Sequence, residues 1–206
     1  MSVQPRGTLY IFSAPSGAGK TSLVTALLES TDNIMVSVSH TTRAPREGEV
    51  NGQHYHFIDV PTYDKMVAAN DFVEHAQVFD NFYGTSQAAI EAKLAEGLDV
   101  ILEIDWQGAR QVRERMQTTS VFILPPSRPE LENRLRGRGT DSDEIIQRRM
   151  RDAITEMEHY GEYDYIVVND DFDTALAELS AVVTCQRLHQ TRQKDHLATL
   201  LSQLLA

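Results

Sequence analysis

Short apolar runs alternate with amphipathic segments along most of the chain. Apolar and β-branched runs predict buried strands, and apolar positions recurring at three- and four-residue spacing predict helices. The predicted strands are 8–13, 34–39, 54–58, 100–104, 121–124 and 165–168. The predicted helices are 20–29, 63–70, 86–96, 107–116, 129–136, 143–159 and 172–188. A leucine stripe that begins after Lys194 predicts a further helix, which packs on the protein or contacts another subunit.

The regular alternation of strands and helices predicts an α/β fold, with helices covering both faces of a mostly parallel sheet. The segment 41–83 breaks this alternation and reads as an insertion, because it is largely polar and interrupted by proline and glycine. A chain of 206 residues suits one compact domain.

Composition narrows the class of protein. Hydrophobic residues make up 41% and charged residues 24%, which is typical of a globular domain. No apolar run approaches the roughly 18 residues that span a bilayer, and residues 1–7 lack the apolar stretch of a secretory signal. Cys185 is the only cysteine, so a disulfide framework and a cysteine metal site are excluded. These features predict a cytoplasmic protein without a membrane partner.

The charges favour a small anionic ligand over long nucleic acid. The formal net charge is −11, whereas non-specific binding of nucleic acid needs a basic face. The chain has 15 arginines and 4 lysines, and six of the arginines fall within 134–151. The guanidinium group matches phosphate oxygens two at a time. Composition alone nevertheless favours a solvated helical surface for this arginine-rich segment.

Residues 14–21 read A-P-S-G-A-G-K-T and lie between a predicted strand and a predicted helix. This context matches the phosphate-binding loop G-x-x-x-x-G-K-[ST], in which glycines turn backbone N–H groups toward an anion. Lys20 is expected to reach the β- and γ-phosphates, and the Thr21 hydroxyl to hold Mg²⁺. Ala14 replaces the first glycine, which predicts a slightly different turn. The loop indicates a nucleotide phosphate, and the lack of an N-K-x-D box favours kinases over GTPases.

Further motifs extend over nearly the whole chain, and together they resemble the guanylate kinases. They include S-V-S-H-T-T-R-A-P-R-E-G-E-V-N-G, F-V-E-H-A-Q, N-F-Y-G-T, I-L-E-I-D-W-Q-G-A, R-L-R-G-R-G-T-D and V-V-N-D-D. The resemblance implies transfer of the γ-phosphate of ATP to GMP with Mg²⁺, giving ADP and GDP in purine nucleotide metabolism. It also implies a P-loop kinase core at about 7–36, 86–127 and 160–206, an inserted GMP-binding region at about 37–85, and an arginine-bearing lid at about 128–159.

The same resemblance assigns residues to the GMP site. Four of them match the positions that hold the GMP phosphate: Arg43, Arg46, Tyr55 and Tyr83. Glu74 matches the guanine reader, since a carboxylate accepts the N1–H and N2–H of guanine. Adenine offers neither of these donors and would leave the buried acid unpaired. Further base-contacting positions are matched by Ser39, Thr85 and Asp105, and Asp105 is expected to end a core strand.

For ATP, the resemblance implies a loop and a set of cations. The residues predicted to bind ATP are Ser16, Gly17, Ala18, Gly19, Lys20, Thr21, Ser22 and Asn169, the last of them near the adenine. The predicted catalytic residues are Lys20 and the lid arginines Arg134, Arg138 and Arg149. Positioned cations are the main catalytic device in phosphoryl transfer, because charge spreads over the transferring oxygens.

Two other functions are compatible with parts of this sequence. A related kinase could act on a phosphorylated sugar, but Glu74, Ser39 and Thr85 would then have no clear purpose. A non-catalytic guanylate-kinase-like module could bind protein partners, but such a module can lose its phosphate loop, and here Lys20 and Thr21 remain. The substrates expected are therefore GMP and ATP. A homo-oligomer and the preference between GMP and dGMP stay open.

Overall fold

The computed structural model describes residues 5–78, 80–137, 139 and 141–206, and for Asp195 it describes the backbone alone. The strands are β1 (Leu9–Ser13), β2 (Ile34–Val36), β3 (His40–Thr41), β4 (His56–Phe57), β5 (Phe72–Val78), β6 (Asn81–Ser86), β7 (Asp99–Glu103), β8 (Thr119–Leu124) and β9 (Tyr165–Val168). The helices are α1 (Lys20–Ser30), α2 (Val60–Ala68), α3 (Gln87–Ala95), α4 (Trp106–Arg115), α5 (Arg128–Gly137), α6 (Asp143–Met157), α7 (Phe172–Leu188), α8 (Gln190–His196) and α9 (Ala198–Leu204). One turn of 3-10 helix covers Tyr160–Glu162.

Five parallel strands form the main sheet, in the order β2-β7-β1-β8-β9. Successive residues of β1 point to opposite faces, so Tyr10 and Phe12 pack with α1 and α7, while Leu9 and Ile11 pack with α3 and α4. Both faces are thus buried under helices, which explains why all five residues of β1 are buried and why Leu9, Ile11 and Phe12 are apolar. The predicted α/β fold with a helix-covered parallel sheet is confirmed.

The predicted strand 34–39 is wrong beyond Val36. Ser37 still donates its N–H to the carbonyl of Ile101 at 2.9 Å, but the chain then leaves the main sheet. His40–Thr41 instead pairs with β4 and β6 in a second sheet. Polar and apolar residues alternate without a break from the main sheet into the second sheet. The alternation therefore does not show that the chain passes from one sheet to the other after Val36.

The second sheet has four strands in the order β4-β3-β6-β5. The sequence pattern predicts the edge strand β4 but not the β5–β6 hairpin. A register irregularity between Phe72 and Glu74 breaks the alternation of β5, and its first three residues are all buried. The helix predicted at 63–70 begins earlier, at Val60, because the Asp59 side chain accepts a hydrogen bond from the N–H of Thr62 and caps it.

Helix α4 holds the second sheet against the main one. The side-chain amide of Gln111 accepts from the N–H of His75 and donates to its carbonyl, both at 3.1 Å. Arg115 donates to the carbonyl of Phe72 at 2.7 Å. These contacts fix β5 on a helix of the main sheet, so the side chains of β5 take a defined position relative to the strand ends.

Helices α5 and α6 form a small unit with its own apolar contact, made by Leu131, Leu135, Ile146 and Ala153. The ring of His159, just after α6, stacks on Trp106 with centroids 3.7 Å apart.

The predicted C-terminal helix is present as α8 and α9, and Leu204 and Leu205 at its end are exposed. In the part of the chain described, no helix combines the length and apolar character that crossing a membrane requires.

Candidate active site

The phosphate-binding loop, residues 14–21, connects β1 to α1 at the carboxyl end of the sheet. Gly17 and Gly19 have φ of +96° and +92°, which side chains on L-residues rarely tolerate. Among the described residues no side chain caps α1, so its first turn presents N–H groups to the loop. Ala14 is not among the residues with positive φ, which explains why alanine is tolerated where the motif has glycine.

Asn169 stabilises this loop through a hydrogen bond to its backbone. Its side chain is buried and donates to the carbonyl of Ala18 at 2.7 Å, and its own carbonyl accepts from Arg134 at 3.0 Å. A Cβ on Gly19 would lie only 2.3 Å from Nδ2 of Asn169. The contact seen for Asn169 is therefore with the phosphate loop, and the sequence-based placement near adenine stays a prediction.

We expect Gly19→Ala to weaken ATP binding by about tenfold and to lower the melting temperature. The left-handed backbone at this position costs about 1–2 kcal/mol for a residue with a Cβ, and the new methyl group would push Asn169 off the loop. Calorimetric titration with ATP and thermal unfolding measure the two effects. The control is Gly137→Ala, because a Cβ there meets no atom within 4 Å. Equal behaviour of the two variants would contradict the role of the close contact.

Lys20 lies in an acidic setting at the start of α1. Its Nζ is 3.8 Å from Oε2 of Glu103, the last residue of β7. Burial lowers the pKa of Lys20, while Glu103, Glu156 and Asp105 act in the opposite direction. The lysine is thus a partly buried cation whose countercharges are carboxylates, a state suited to receiving an anionic ligand.

Three predicted guanine-site residues form one hydrogen-bonded chain. Thr85 donates its hydroxyl proton to Oε1 of Glu74, so the Ser39 hydroxyl, 2.9 Å away, donates to Thr85. Burial raises the pKa of Glu74, and the field of Asp105 adds to this effect, while the bond from Thr85 lowers it. The chain orients a buried acid at the junction of the two sheets.

Asp105 has a different position from the one predicted. Strand β7 ends at Glu103, and Asp105 is the N-cap of α4, where it accepts from the N–H of Gly108 at 2.9 Å. A Cβ on Gly108 would lie 3.4 Å from Oε2 of Glu74. The prediction that Asp105 ends a strand is wrong because two further residues are needed to turn the chain into the helix. Its cap also brings the first turn of α4 close to Glu74.

The residues predicted to hold the GMP phosphate lie around Arg43. Its guanidinium is 5.5 Å from the ring centroid of Tyr55, and that ring is 6.0 Å from the ring of Tyr83. Glu49 accepts from Arg43 at 2.7 Å and from the N–H of Arg46 at 2.7 Å. Hydrogen bonds from Arg43 and Arg46 lower the pKa of Glu49 to about 2. The structure brings Arg43 and the two tyrosines together, while the Arg46 side chain is exposed.

The predicted lid arginines occupy separate places. Arg134 on α5 pairs with Glu130 at 3.0 Å and reaches Asn169 beneath the phosphate loop. Arg149 on α6 pairs with Asp141 at 2.6 Å. Arg138, the third predicted member, lies outside the described residues. In this conformation Arg134 is linked to the loop through Asn169, and Arg149 is engaged within its own helical unit.

A cavity of about 350 Å³ lies between the phosphate loop and the second sheet. Lys20 and Thr21 line one side, and Ser39, Tyr55 and Thr85 line the other. A larger cleft of about 830 Å³ lies at the amino ends of the strands, around Thr119. Ligands of open α/β sheets bind at the carboxyl ends of the strands, so the smaller cavity is the candidate active site.

The sequence pattern missed three acids that the structure places beside the predicted residues. They are Glu49 at Arg43, Glu103 at Lys20, and Glu156 near the phosphate loop. A charged residue inside the apolar run V-I-L-E-I is a signal that could have singled out Glu103. Glu49 and Glu156 carry no such signal, because each stands among other acids in a polar segment.

Comparison with known proteins agrees with this geometry. The family model for guanylate kinase matches residues 6–186. The guanylate kinase of Chromohalobacter salexigens is 60% identical over 209 residues, covering 100% of this chain and 97% of that protein. The guanylate kinase of Escherichia coli K12 is 56% identical over 204 residues, covering 98% and 99%. The crystal structure of guanylate kinase from Anaplasma phagocytophilum is 33% identical and superimposes with a TM-score of 0.72, covering 92% and 90%. The chain therefore belongs to the guanylate kinase family.

Proposed function

We propose that this protein transfers the γ-phosphoryl group of ATP to GMP, giving ADP and GDP. The observation that carries the proposal is the cavity lined by Lys20 and Thr21 of the phosphate loop and by Ser39 and Thr85, whose hydroxyl groups lead to Glu74. The phosphate loop has the backbone and lysine chemistry that binds a triphosphate, and Thr85 is bonded to a buried acid suited to guanine. A phosphate donor and a nucleotide acceptor would meet between them.

The ATP side is proposed to be the phosphate loop. Residues from Ser16 to Ser22 would bind the phosphates through backbone N–H groups and the first turn of α1, with Lys20 at the β- and γ-phosphates. Asn169 would keep the loop in shape through Ala18. Gly17 and Gly19 already have the left-handed backbone that such a loop requires.

Oxygen donors at the cavity fit Mg²⁺. The hydroxyl-bearing Thr21 is exposed at the start of α1 and lines the cavity, as does the Glu103 carboxylate. Hard oxygen ligands of this kind suit the ion, which usually also keeps water and phosphate oxygens. We propose that Thr21 holds Mg²⁺ together with ATP. When bound, the ion neutralises charge on the phosphates.

The GMP side is proposed to lie in the region of about 37–85. Glu74 would accept the N1–H and N2–H of guanine, and Ser39, Thr85 and Asp105 would make further contacts to the base. Arg43, Arg46, Tyr55 and Tyr83 would bind the phosphate. Because Arg43 already lies against Tyr55 and is paired with Glu49, the incoming phosphate would exchange with that carboxylate.

Arginines of the region of about 128–159 would complete the site by domain closure. Lys20 and the lid residues Arg134, Arg138 and Arg149 are the cations proposed to stabilise the transferring phosphoryl group. Closure would also exclude water, which otherwise competes with GMP for that group. No side-chain nucleophile is required, because the acceptor is an oxygen of the GMP phosphate. The enzyme is proposed to act in the cytoplasm.

We expect Arg43→Ala to raise the KM for GMP by about 10- to 100-fold, with the KM for ATP nearly unchanged. Each hydrogen bond to a charged group contributes about 1.5–3 kcal/mol, and Arg43, which lies against Tyr55, is not among the residues proposed to bind ATP. Steady-state kinetics with each substrate varied in turn separate the two constants. Arg6→Ala is the control, since Arg6 forms an exposed pair with Glu91. An unchanged KM for GMP would place Arg43 outside the site.

An ADP-release assay with alternative acceptors tests the proposed function directly. GMP, dGMP, AMP, UMP and ribose 5-phosphate are compared side by side with ATP and Mg²⁺. Fast turnover of GMP, with AMP, UMP and the sugar phosphate slower by a factor on the order of 10³ or more, is expected from a guanine-reading acid. Folded protein that leaves GMP unphosphorylated, or that prefers the sugar phosphate, would contradict the proposal.

A further inference from the structure

One half-buried acid near the phosphate loop, Glu156, has no place in the proposed reaction. Glu156 lies one residue before the end of α6, in the helical unit that carries Arg149. Its Oε2 atom is buried and has no hydrogen-bond partner among the described residues. A buried carboxylate oxygen without a partner lowers stability, and packing of the side chain alone does not offset that cost.

The surroundings of Glu156 are the groups proposed to bind ATP. Burial raises the pKa of Glu156, and the fields of Asp105 and Asp152 add to this. The charge of Lys20 and a hydrogen bond from the backbone of Ser16 lower it. In return, Glu156 is one of the carboxylates whose field favours the charged form of Lys20. The acid thus accepts a hydrogen bond from the backbone of the phosphate loop and lies in the field of the Lys20 charge.

The position of Glu156 on α6 connects it to the rest of the lid. Glu156 and Arg149 are seven residues apart, which places them two turns apart on the same face of the helix. Ala153 lies between them and is buried against α5. One face of α6 therefore carries both a cation proposed for the phosphoryl group and an anion that engages the loop in the ligand-free protein.

We propose that the Glu156 carboxylate is a competitor of the ATP phosphates for Ser16 and Lys20, and that it sets the affinity of the site for ATP. This inference rests on the proposed function, because it takes the loop to be the ATP site. In the ligand-free protein the carboxylate stabilises Lys20 and holds the end of α6 on the loop. Phosphates that take over the same donors displace it, and α6 is then released to bring Arg149 toward them.

The test is a calorimetric titration with ATP and Mg²⁺, without GMP, of the wild type and Glu156→Gln. The amide has the same shape but no charge, so ATP meets less repulsion and less competition. We expect the Kd for ATP to fall by about tenfold, as a removed like charge at close range implies. Merely structural damage would weaken binding. The control is Asp152→Asn, which removes the same charge one turn earlier, from an exposed side chain; it is expected to change the Kd by less than about twofold.

Each outcome decides the inference. Unchanged or weaker binding by Glu156→Gln, or equal tightening by Asp152→Asn, would overturn it. If the glutamine variant does not fold, Glu156→Asp decides instead, because its shorter carboxylate withdraws from Ser16 and should tighten ATP by about threefold; no tightening overturns the inference. GMP phosphorylation by the wild type is measured in parallel. If that activity is absent the proposed function fails, whereas an active wild type with no effect of Glu156 removes only this inference.

Discussion

Replacement of Lys20 by methionine is expected to lower kcat for GMP phosphorylation by a factor on the order of 10³ while the protein stays folded. Lys20 begins α1 and lines the cavity of the candidate active site. Methionine keeps most of the apolar stem but loses the charge that would follow the phosphoryl group as negative charge develops on it. Within the described part of the chain, the charged side chains bearing on Lys20 are the acids Glu103, Glu156 and Asp105, so none of them can substitute for it.

The folded state should tolerate this change. Burial already disfavours the charged form of Lys20, and its ion pair with Glu103 is long, at 3.8 Å. Loss of the pair and relief from burying the ammonium group act in opposite directions, so the melting temperature should change little. Circular dichroism and thermal unfolding check this, and Lys93→Met, at an exposed pair with Glu96, is the control. A folded Lys20→Met enzyme within tenfold of wild-type kcat would remove the lysine from the mechanism.

The sequence pattern predicted those strands, helices and turns whose residue types are determined by their own backbone conformation and burial. The apolar run at β1 and the glycine-rich loop after it are readable because burial on both faces and left-handed turns each demand a particular residue type. The predicted bounds of β1 and α1 differ from the observed ones by one residue at one end. The motif spacing therefore predicted correctly that the two glycines lie between strand and helix and that Lys20 begins the helix.

Other parts of the site depend on contacts between distant segments. The β5–β6 hairpin is hidden by an irregular register, and the Glu74–Thr85 bond appears only once that hairpin is formed. Glu156 is separated by more than 100 residues from the loop that it faces, and nothing in its neighbourhood distinguishes it from the other acids of α6. Resemblance to a family identified Glu74 as a candidate site residue. Neither the sequence pattern nor the resemblance indicated that Glu49 would pair with Arg43 or that Glu103 would pair with Lys20.

Glu74→Gln is expected to lower kcat/KM for GMP by a factor on the order of 10³ and to leave the Kd for ATP within about twofold of wild type. The change conserves shape, so its effect isolates the charge and the acceptor character of the side chain. The amide has one acceptor and a donor group in place of two acceptors. The NH2 group of the amide, itself a donor, therefore faces one of the two N–H donors of guanine. One guanine donor is then left unpaired in a buried site.

The position of Glu74 explains why the loss should be confined to GMP. The acid is 7% exposed on β5, tied to Thr85 and close to the first turn of α4, whereas the phosphate loop is positioned by β1, α1 and Asn169. Glu96→Gln, the same change at an exposed acid, is the control for loss of one negative charge. Initial rates with GMP and calorimetry with ATP measure the two sites separately.

Acidity provides a second readout of the same residue. Burial raises the pKa of Glu74, and only the ionised form accepts both guanine donors, so the wild type should lose GMP affinity as pH falls toward the raised pKa. The Glu74→Gln enzyme has no such group, so the KM for GMP of the variant divided by that of the wild type should fall as the pH is lowered. The titration of GMP itself affects both KM values equally and cancels in this ratio. Equal loss of GMP and ATP binding, or a ratio independent of pH, would mean that Glu74 stabilises the fold instead of reading the base.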